Sequence, residues 1–457
     1  MNIIIVGMGI VGISLAEQLI RKDCHVSVID SNASLCREIE GKLDVFTVTG
    51  SGTSPGVLKS AGIESADMVI AVTRSDESNL LVCNFAKQFS VPKRIARVRS
   101  NDYTQINSGV SLDALGVTHV IEPEKEVVKS ILQYVEIPGL TQAANFQSDT
   151  VCLRGCKITS DMPLANKALL EIDGIPGYAP MLVVVIIRDG HTVLPTGQAR
   201  LLPEDEIIVI MPKESFSSFR KLINREKSTL GKVIVFGDSF IAVDLVEALK
   251  GYADRIVLVD PNSEHGQSVA GKLDGVEVLN GDCTSADVLQ DIHVGNVDFF
   301  IAAGNDSEDN IMASLMAKAE GAKEVIAVRN DSRHLGLFES LGLDHVINPK
   351  EITSEKILES IHMLHIGSFL KLRNIDLEVI RFKVEKNSRI TGKPLRKLDM
   401  LFKKSIIISG VLRDGLMIVP NGDTVINEND EVLVVCGHEN AGVLNRLCRS
   451  GVPGIHI

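Results

Sequence analysis

Short apolar runs alternate along this chain with longer stretches whose apolar positions recur at helical spacing. The first run covers residues 2–6, and others fall at 26–29, 45–48, 68–72, 94–98 and 117–121. Each is apolar almost without interruption, which suits strands buried on both faces. The alternation predicts six parallel strands with helices on both sides, a doubly wound α/β domain.

The same pattern is then written again. "NIIIVGMGIVGISLAEQL" returns as "KVIVFGDSFIAVDLVEAL", and "SVIDSN" returns as "VLVDPN", so that Asp30 is answered by Asp260. "ESADMVIAVTRSDESNLL" returns as "GNVDFFIAAGNDSEDNIM", pairing Asn79 with Asn310, and "LGVTHVIEP" returns as "LGLDHVINP". The repeat extends into a second kind of segment with short β-rich runs. There Arg188-Asp189-Gly190 matches Arg413-Asp414-Gly415, and Pro163 matches Pro394. The chain is a tandem duplication of a two-part unit, with the polar stretch 224–231 as the joint between halves. The expected domains are 1–134 and 231–363, each doubly wound, and 135–225 and 364–457, each a small α+β module.

Composition narrows the function. A chain of 457 residues exceeds one core, at roughly 100 to 200 residues per domain. A formal charge of −12, no Trp and four Tyr give nucleic acid neither a basic footprint nor stacking rings. The longest apolar runs fall well short of the roughly 20 residues that cross a bilayer, so a soluble protein is expected. No basic leader or small-residue cleavage site marks the N-terminal run as a signal peptide. The eight cysteines lack C-x-x-C pairs, and Cys152 and Cys156 are the nearest pair; buried thiols in a reducing cytoplasm are expected. His362 and His365 are spaced to share a helix face, but no acidic or cysteine partner adjoins them, so a helix surface is favoured and no metal site is assigned. No nucleophile elbow or catalytic triad order stands out, and no catalytic residue is assigned.

The glycines carry the candidate chemistry. G-x-G-x-x-G follows a strand, opens a helix and is answered by an acid at the end of the next strand. Gly7 permits the tight turn, Gly9 lets a pyrophosphate approach the backbone, and Gly12 lets helix and strand close up. The stretch Gly7, Met8, Gly9, Ile10, Val11 and Gly12 then offers phosphates the free N–H groups and positive dipole end of the helix. Asp30 is placed to accept a ribose diol and repel a 2′-phosphate, which favours NAD(H) or an adenosine nucleotide over NADP. The alternative is that the glycines only make a turn and Asp30 only caps the next helix. Thr73 and Arg74 end the fourth strand, where such sheets gather ligands. Arg97 ends the fifth, and either pairs with a phosphate or stays solvated or ion-paired.

The second copy has Gly237, Asp238, Ser239, Phe240, Ile241 and Ala242 in the matching places, with Asp260 as its acid. Alanine is tolerated at the third glycine position. Ser239 is expected to put a side chain where the pyrophosphate would lie. A carboxylate at Asp238 would repel phosphate, by up to about 4 kcal/mol at about 4 Å and an effective dielectric near 20. Asp238 is also expected to be able to serve the helix as a built-in anion. The second fold is retained while its dinucleotide site looks impaired.

"IIIVGMGIVG" with "VID", "ADMVIAVTRSDESN", "RIARVRS" and the R-D-G turns together resemble the tandem RCK (KTN) family of TrkA type, over essentially the full length. Members are cytoplasmic regulatory subunits of Trk potassium uptake systems. The resemblance implies two Rossmann-like RCK N-terminal domains, each followed by an RCK C-terminal domain. It implies a homo-oligomeric ring, commonly a tetramer, peripheral on the cytoplasmic face of the membrane and docked on a Trk-type potassium-translocating subunit. It implies NAD or NADH in the first lobe, with ATP or ADP possible, at Gly7 to Val11, Asp30 with Ser31, Thr73 with Arg74, and Arg97. The matching second-lobe positions, Gly237 to Ile241 and Asp260, depart from the glycine-rich form. An NAD-dependent oxidoreductase is the competing class, but it would need a substrate pocket and a proton-transfer group. The small module after each nucleotide domain favours a regulator that is not an enzyme.

Overall fold

The computed structural model describes residues 1–20, 24–104, 109, 111–146, 149–225, 229–329, 341–360, 366–372, 375–398, 406–437 and 440. His362, His365, Cys448 and part of the joint between halves lie outside them.

The first sheet holds β1 (Asn2–Val6), β2 (His25–Asp30), β3 (Phe46–Thr49), β4 (Met68–Ala71), β5 (Lys93–Arg97) and β6 (His119–Ile121), close to the runs read from the sequence. Its order is β3-β2-β1-β4-β5-β6, all parallel. That is the doubly wound order whose crevice opens between β1 and β4. Helices α1 (Ile10–Ile20), α2 (Ala33–Glu40), α3 (Pro55–Ser60), α4 (Asp76–Gln88), α5 (Asn101–Thr104) and α6 (Pro123–Val135) follow the strands in turn. Ile3, Ile5 and Val28 point into a core with Leu15 and Leu19 of α1 on one face. Ile4, Val6 and Ile29 point into another with Val82 and Ala86 of α4 on the opposite face. Residue alternation along each strand thus feeds two cores, and both faces must be apolar.

A small antiparallel sheet follows, made of β7 (Leu140–Phe146), β8 (Val151–Lys157), β9 (Leu182–Arg188), β10 (His191–Val193) and β11 (Glu206–Pro212), in the order β10-β9-β11-β8-β7. Helix α7 (Phe216–Leu222) ends that module.

The second half repeats both topologies. Its parallel sheet has β12 (Leu230–Phe236), β13 (Ala253–Asp260), β14 (Glu277–Asn280), β15 (Phe299–Ala302), β16 (Glu324–Val328) and β17 (His345–Ile347), in the order β14-β13-β12-β15-β16-β17. Its described helices are α8 (Phe240–Leu249), α9 (Ser263–Ala270), α10 (Ala286–Asp291), α11 (Ser307–Ala319) and α12 (Pro349–Ser360). The last sheet has β18 (Ile366–Lys371), β19 (Glu378–Lys383), β20 (Ile406–Arg413), β21 (Leu416–Ile418) and β22 (Glu431–Cys436), in the order β18-β19-β22-β20-β21. Matching residues cap matching helices: Asn32 and Asn262 accept N–H groups of α2 and α9, and Ser75 and Asp306 do so for α4 and α11.

The chain divides into two compact units. One is residues 1–127 with 348–364; the other is 128–347 with 365–457. Helix α12 therefore follows the second parallel sheet in sequence but packs on the first: Ile357 and Leu358 share a core with Leu15, Leu19 and Ile121. Within the second unit, the two antiparallel sheets share one core, in which Leu153, Val185 and Ile208 meet Val379, Leu412 and Val435. No helix among the described residues is long and apolar enough to cross a membrane.

The R-D-G turns prove to be the visible part of a repeated ion pair. Asp189 and Gly190 take positive φ values of 50° and 73°, closing the β9–β10 hairpin with Arg188 at its base. Arg188 donates Nε and Nη2 to the two oxygens of Asp205 at 2.7 Å, and Nη2 also reaches the Arg200 carbonyl at 2.8 Å. Asp205 accepts the Leu202 N–H besides. Arg413 repeats all of this with Asp430, the Val425 carbonyl and the Asn427 N–H. Burial, the largest single effect, works to raise the Asp205 carboxyl, but the Arg188 hydrogen bonds, the Leu202 N–H and the Arg188 charge together outweigh it and hold the group below its usual range. A lowered folded-state value means that this stabilisation is present above the unfolded value and is lost as pH falls through the folded one. Replacing Asp205 with Ala strands the fork of Arg188 and should cost about 2 kcal/mol. The check is a lower melting temperature for the full chain, with wild type and variant converging in acid.

Candidate functional site

Gly7, Asp30 and Thr73 meet because β1, β2 and β4 are adjacent and parallel, so their carboxyl ends open at one place. Gly7 has φ of 101°, where L side chains are strained, and a Cβ there would stand 2.9 Å from the Thr73 N. A Cβ on Gly12 would lie 2.0 Å from the Gly7 carbonyl oxygen, so α1 sits against β1 with no room for a methyl. Gly9 is different. A Cβ there would meet nothing within 4 Å, so the absence of a side chain leaves open space in front of the α1 N-terminus. Met8 is buried, Val11 packs in the core and Ile10 is 54% exposed at the mouth.

Asp30 holds the turn from the next strand. Its Oδ2 accepts the Met8 N–H at 2.7 Å and its Oδ1 the Asn32 N–H at 2.8 Å, beside exposed Ser31. The cap of α2 is Asn32, whose side chain accepts the Ser34 and Leu35 N–H groups, so Asp30 is not spent on capping. On the other side, the buried amide of Asn79 accepts both the Thr73 N–H and hydroxyl, at 2.9 and 2.7 Å. It also donates to the Arg97 carbonyl at 2.8 Å, tying the ends of β4 and β5 together. Arg74 is exposed. Arg97 is half-buried, and its Nε is buried with no hydrogen-bond partner. Burial depresses the Arg97 pKa, and the nearby Glu124 carboxylate offsets part of that. A guanidinium with an unused buried donor, an open glycine and a free helix N-terminus form a cradle suited to a phosphorylated ligand.

The second cleft keeps the scaffold and changes the polar groups. Asn310 repeats Asn79, accepting the Gly304 N–H and donating to the Val328 carbonyl. Gly237 is again pressed against the β15 end, where a Cβ would stand 2.3 Å from the Gly304 N. Two expectations change. Ser239 does not project into the cleft: it is buried, donates to the Ala303 carbonyl and caps α8 by accepting the Ala242 N–H at 3.1 Å. A polar side chain beside free helix N–H groups satisfies them by turning inward. Asp238 is therefore not the helix's built-in anion; its carboxylate accepts from the Asn305 amide at 3.0 Å. The arginines are gone too, with Asn305 in the place of Arg74 and Val328 in that of Arg97. Asp260 is fully buried, its Oδ1 taken by the Asn262 N–H and its Oδ2 by His265 Nδ1 at 2.6 Å. Phe240 is 76% exposed at the mouth, and Ile241 is half-buried behind it.

Sequence reading noticed Asn79 and Asn310 only as a repeated pair; their preservation at matching positions was the available signal. His265 gave none, because its counterpart Leu35 is apolar. The described cysteines form no disulfide and are buried. Burial pushes the Cys83 and Cys156 thiols up to about 12, which makes them inert at neutral pH. Among the described residues no group of three His, Cys, Asp or Glu side chains is placed to hold a metal.

The TrkA-N domain family model matches residues 3–123 and again 233–349, and the TrkA-C domain model matches 154–224 and 379–449. The Trk system potassium uptake protein TrkA of Azorhizobium caulinodans is 30% identical over 439 residues, covering 95% of each chain. Its namesake in Halomonas elongata is 30% identical over 441 residues, again 95% of each. The fold is similar to the GsuK RCK domain, with a TM-score of 0.60 and 17% identity over 98% of this chain and 94% of that one. It is also similar to the GsuK channel bound to NAD, with a TM-score of 0.61 and 16% identity over 98% and 78%.

The glycines separate fold from ligand. Gly12→Ala drives a methyl into a backbone oxygen and should lower the melting temperature by several degrees, about 2 kcal/mol of overpacking. Gly9→Ala should leave melting unchanged within error while weakening any pyrophosphate ligand. Differential scanning calorimetry of both chains, without and with nucleotide, reads the two effects apart.

Proposed function

The chain belongs to the TrkA family, and from that premise we propose that it is the nucleotide-binding regulatory subunit of a Trk-type potassium uptake system. The first cleft binds NAD or NADH, or ATP or ADP in their place, with the pyrophosphate or phosphates over Gly9 and the α1 N-terminus. In the stretch Gly7 to Gly12 the Gly7 and Met8 N–H groups are spent on the Ile29 carbonyl and Asp30, so the N–H groups from Gly9 to Gly12, with the side chains of Thr73, Arg74 and Arg97, face the phosphates, and Asp30 with Ser31 takes the ribose diol. The observation that carries this reading is the open space at Gly9 together with the unused Nε of Arg97, both at the carboxyl edge of one parallel sheet. NAD is also the ligand named for the GsuK channel, whose fold the chain shares.

The second cleft, from Gly237 to Ile241 with Asp260, offers a dinucleotide less. Its acid is held by His265, its helix end is capped by Ser239, and both arginine positions are lost. The four segments 1–134, 135–225, 231–363 and 364–457 then divide the work: a responsive nucleotide lobe, a lobe that keeps the architecture, and two β-rich modules that join subunits. The assembled form is a homo-oligomeric ring, a tetramer, on the cytoplasmic face of the membrane. The pore belongs to a Trk-type potassium-translocating partner, in keeping with the relatives' names. Nucleotide binds without being consumed. A ligand biases a gate only by its unequal affinity for two states, and about a hundredfold difference supplies roughly 2.7 kcal/mol per site.

Calorimetric titration of the full chain should count one strong NAD equivalent per chain; two equal ones would defeat the argument from the altered second cleft. Gly9→Leu should weaken every pyrophosphate ligand at least about tenfold, while Asp30→Ala should chiefly relax the preference for NAD over NADP. In liposomes carrying the cognate membrane subunit, potassium flux should depend on nucleotide, lose that dependence in the double variant, and leave NADH absorbance constant. Flux indifferent to both nucleotide and the variants would overturn the regulatory reading.

A further inference from the structure

A largely buried acid and a buried histidine lie where the chain enters the first β-rich module, away from both clefts. Helix α6 ends at Val135, and a turn through Gly139, with φ of 84°, leads directly into β7. The Gly139 N–H donates to Glu324 Oε1 at 2.6 Å, across to the first residue of β16 in the second parallel sheet. The other oxygen, Oε2, stands 3.7 Å from Nε2 of His345 on β17, which is 3% exposed. The His345 ring lies on that of Tyr134, near the end of α6, with centroids 4.1 Å apart. A strand-edge carboxylate, an imidazole and an aromatic ring thus clasp the turn and the helix end that precedes it.

We propose that Glu324 and His345 form a proton-sensitive latch that holds the Gly139 turn, and with it the entrance to the first β-rich module, against the second parallel sheet. The charged groups around the carboxyl are few. Asp344 adjoins it, itself paired with Lys318 of α11 at 2.7 Å and accepting the Val325 N–H. Arg225, leaving the same module, passes within 3.7 Å of where a side chain on Gly139 would begin. Burial pushes the Glu324 carboxyl up to about 7; the Gly139 hydrogen bond opposes this, Asp344 adds to it, and Lys318 and Arg225 oppose it.

The sign follows from proton linkage. The folded value lies above the ordinary 4.5, so the latched state holds its proton longer than an opened, solvated one. Latching is therefore strongest below pH 4.5 and weakens as pH rises to about 7, beyond which a buried carboxylate must stay ionised to keep the turn docked. Between pH 6 and 8 the opening equilibrium grows about tenfold if opening fully solvates Glu324.

The test is amide hydrogen exchange on the full chain at several pH values, with rates divided by their intrinsic values. Protection of the Gly139–Leu140 peptide should fall about tenfold from pH 6 to 8, while the Gly190 hairpin changes little. Glu324→Gln, neutral throughout, should keep the pH 6 protection at pH 8. Asp344→Asn removes a like charge and frees Lys318, so it should move the midpoint to lower pH; it serves as the decisive variant if Glu324→Gln does not fold. Protection that is flat with pH in the wild type, or that still falls in Glu324→Gln, overturns the latch, as does a midpoint that Asp344→Asn leaves in place.

Discussion

The contact between α1 and β1 sets the terms for the first nucleotide cleft. At Gly12 the helix backs against the Gly7 carbonyl so closely that no methyl fits. Gly7 must then turn through a left-handed conformation, and Asp30 can reach the Met8 N–H from the neighbouring strand. With helix, turn and acid fixed this way, the remaining gap at Gly9 faces outward with nothing in it, and Asn79 anchors the far wall. In the second half Ala242 replaces Gly12, and the turn is held by other means: a buried serine cap and an acid locked to a histidine. The duplication preserved what the sheet requires and changed the polar groups at the mouth of the cleft.

Much of the fold was legible because strands buried on both faces have no choice but to be apolar throughout. The six runs of the first half emerge as six strands, and the repeat carried the same topology into the second. The glycine spacing likewise placed Gly7, Gly9, Gly12 and Asp30 at one point, since each has a steric or hydrogen-bonding reason tied to its offset from the strand. What escaped reading depends on partners chosen in three dimensions. Nothing in the order Asp238-Ser239 tells which side chain will turn inward. His265 is one turn into a helix, and only the fold brings it onto Asp260. Residues 349–360 carry no pronounced apolar stripe, and nothing in their order names the sheet that Ile357 and Leu358 cover. Arg154 is fully buried with its guanidinium 5.0 Å from the Phe216 ring, a partner from the later helix α7 that its own strand does not name.

The two lobes divide constraint from responsiveness. A cleft whose polar groups are already satisfied by its own residues gains little from a ligand, whereas one with an unused donor and an open backbone gains a good deal. Two domains of one strand order can in this way differ in how much a ligand adds to them.

The placement of α12 also bears on how the chain is made. Ile357 and Leu358 complete the core beneath α1, yet they come after the whole second parallel sheet in sequence. At ribosomal speeds of about 5 to 20 residues per second, the first domain waits on the order of tens of seconds for its last helix. During that time the part of the core that Ile357 and Leu358 fill beside α1 is left open. Truncation before α12 therefore leaves the first core incomplete, so that this domain is finished only after the whole second parallel sheet has been made.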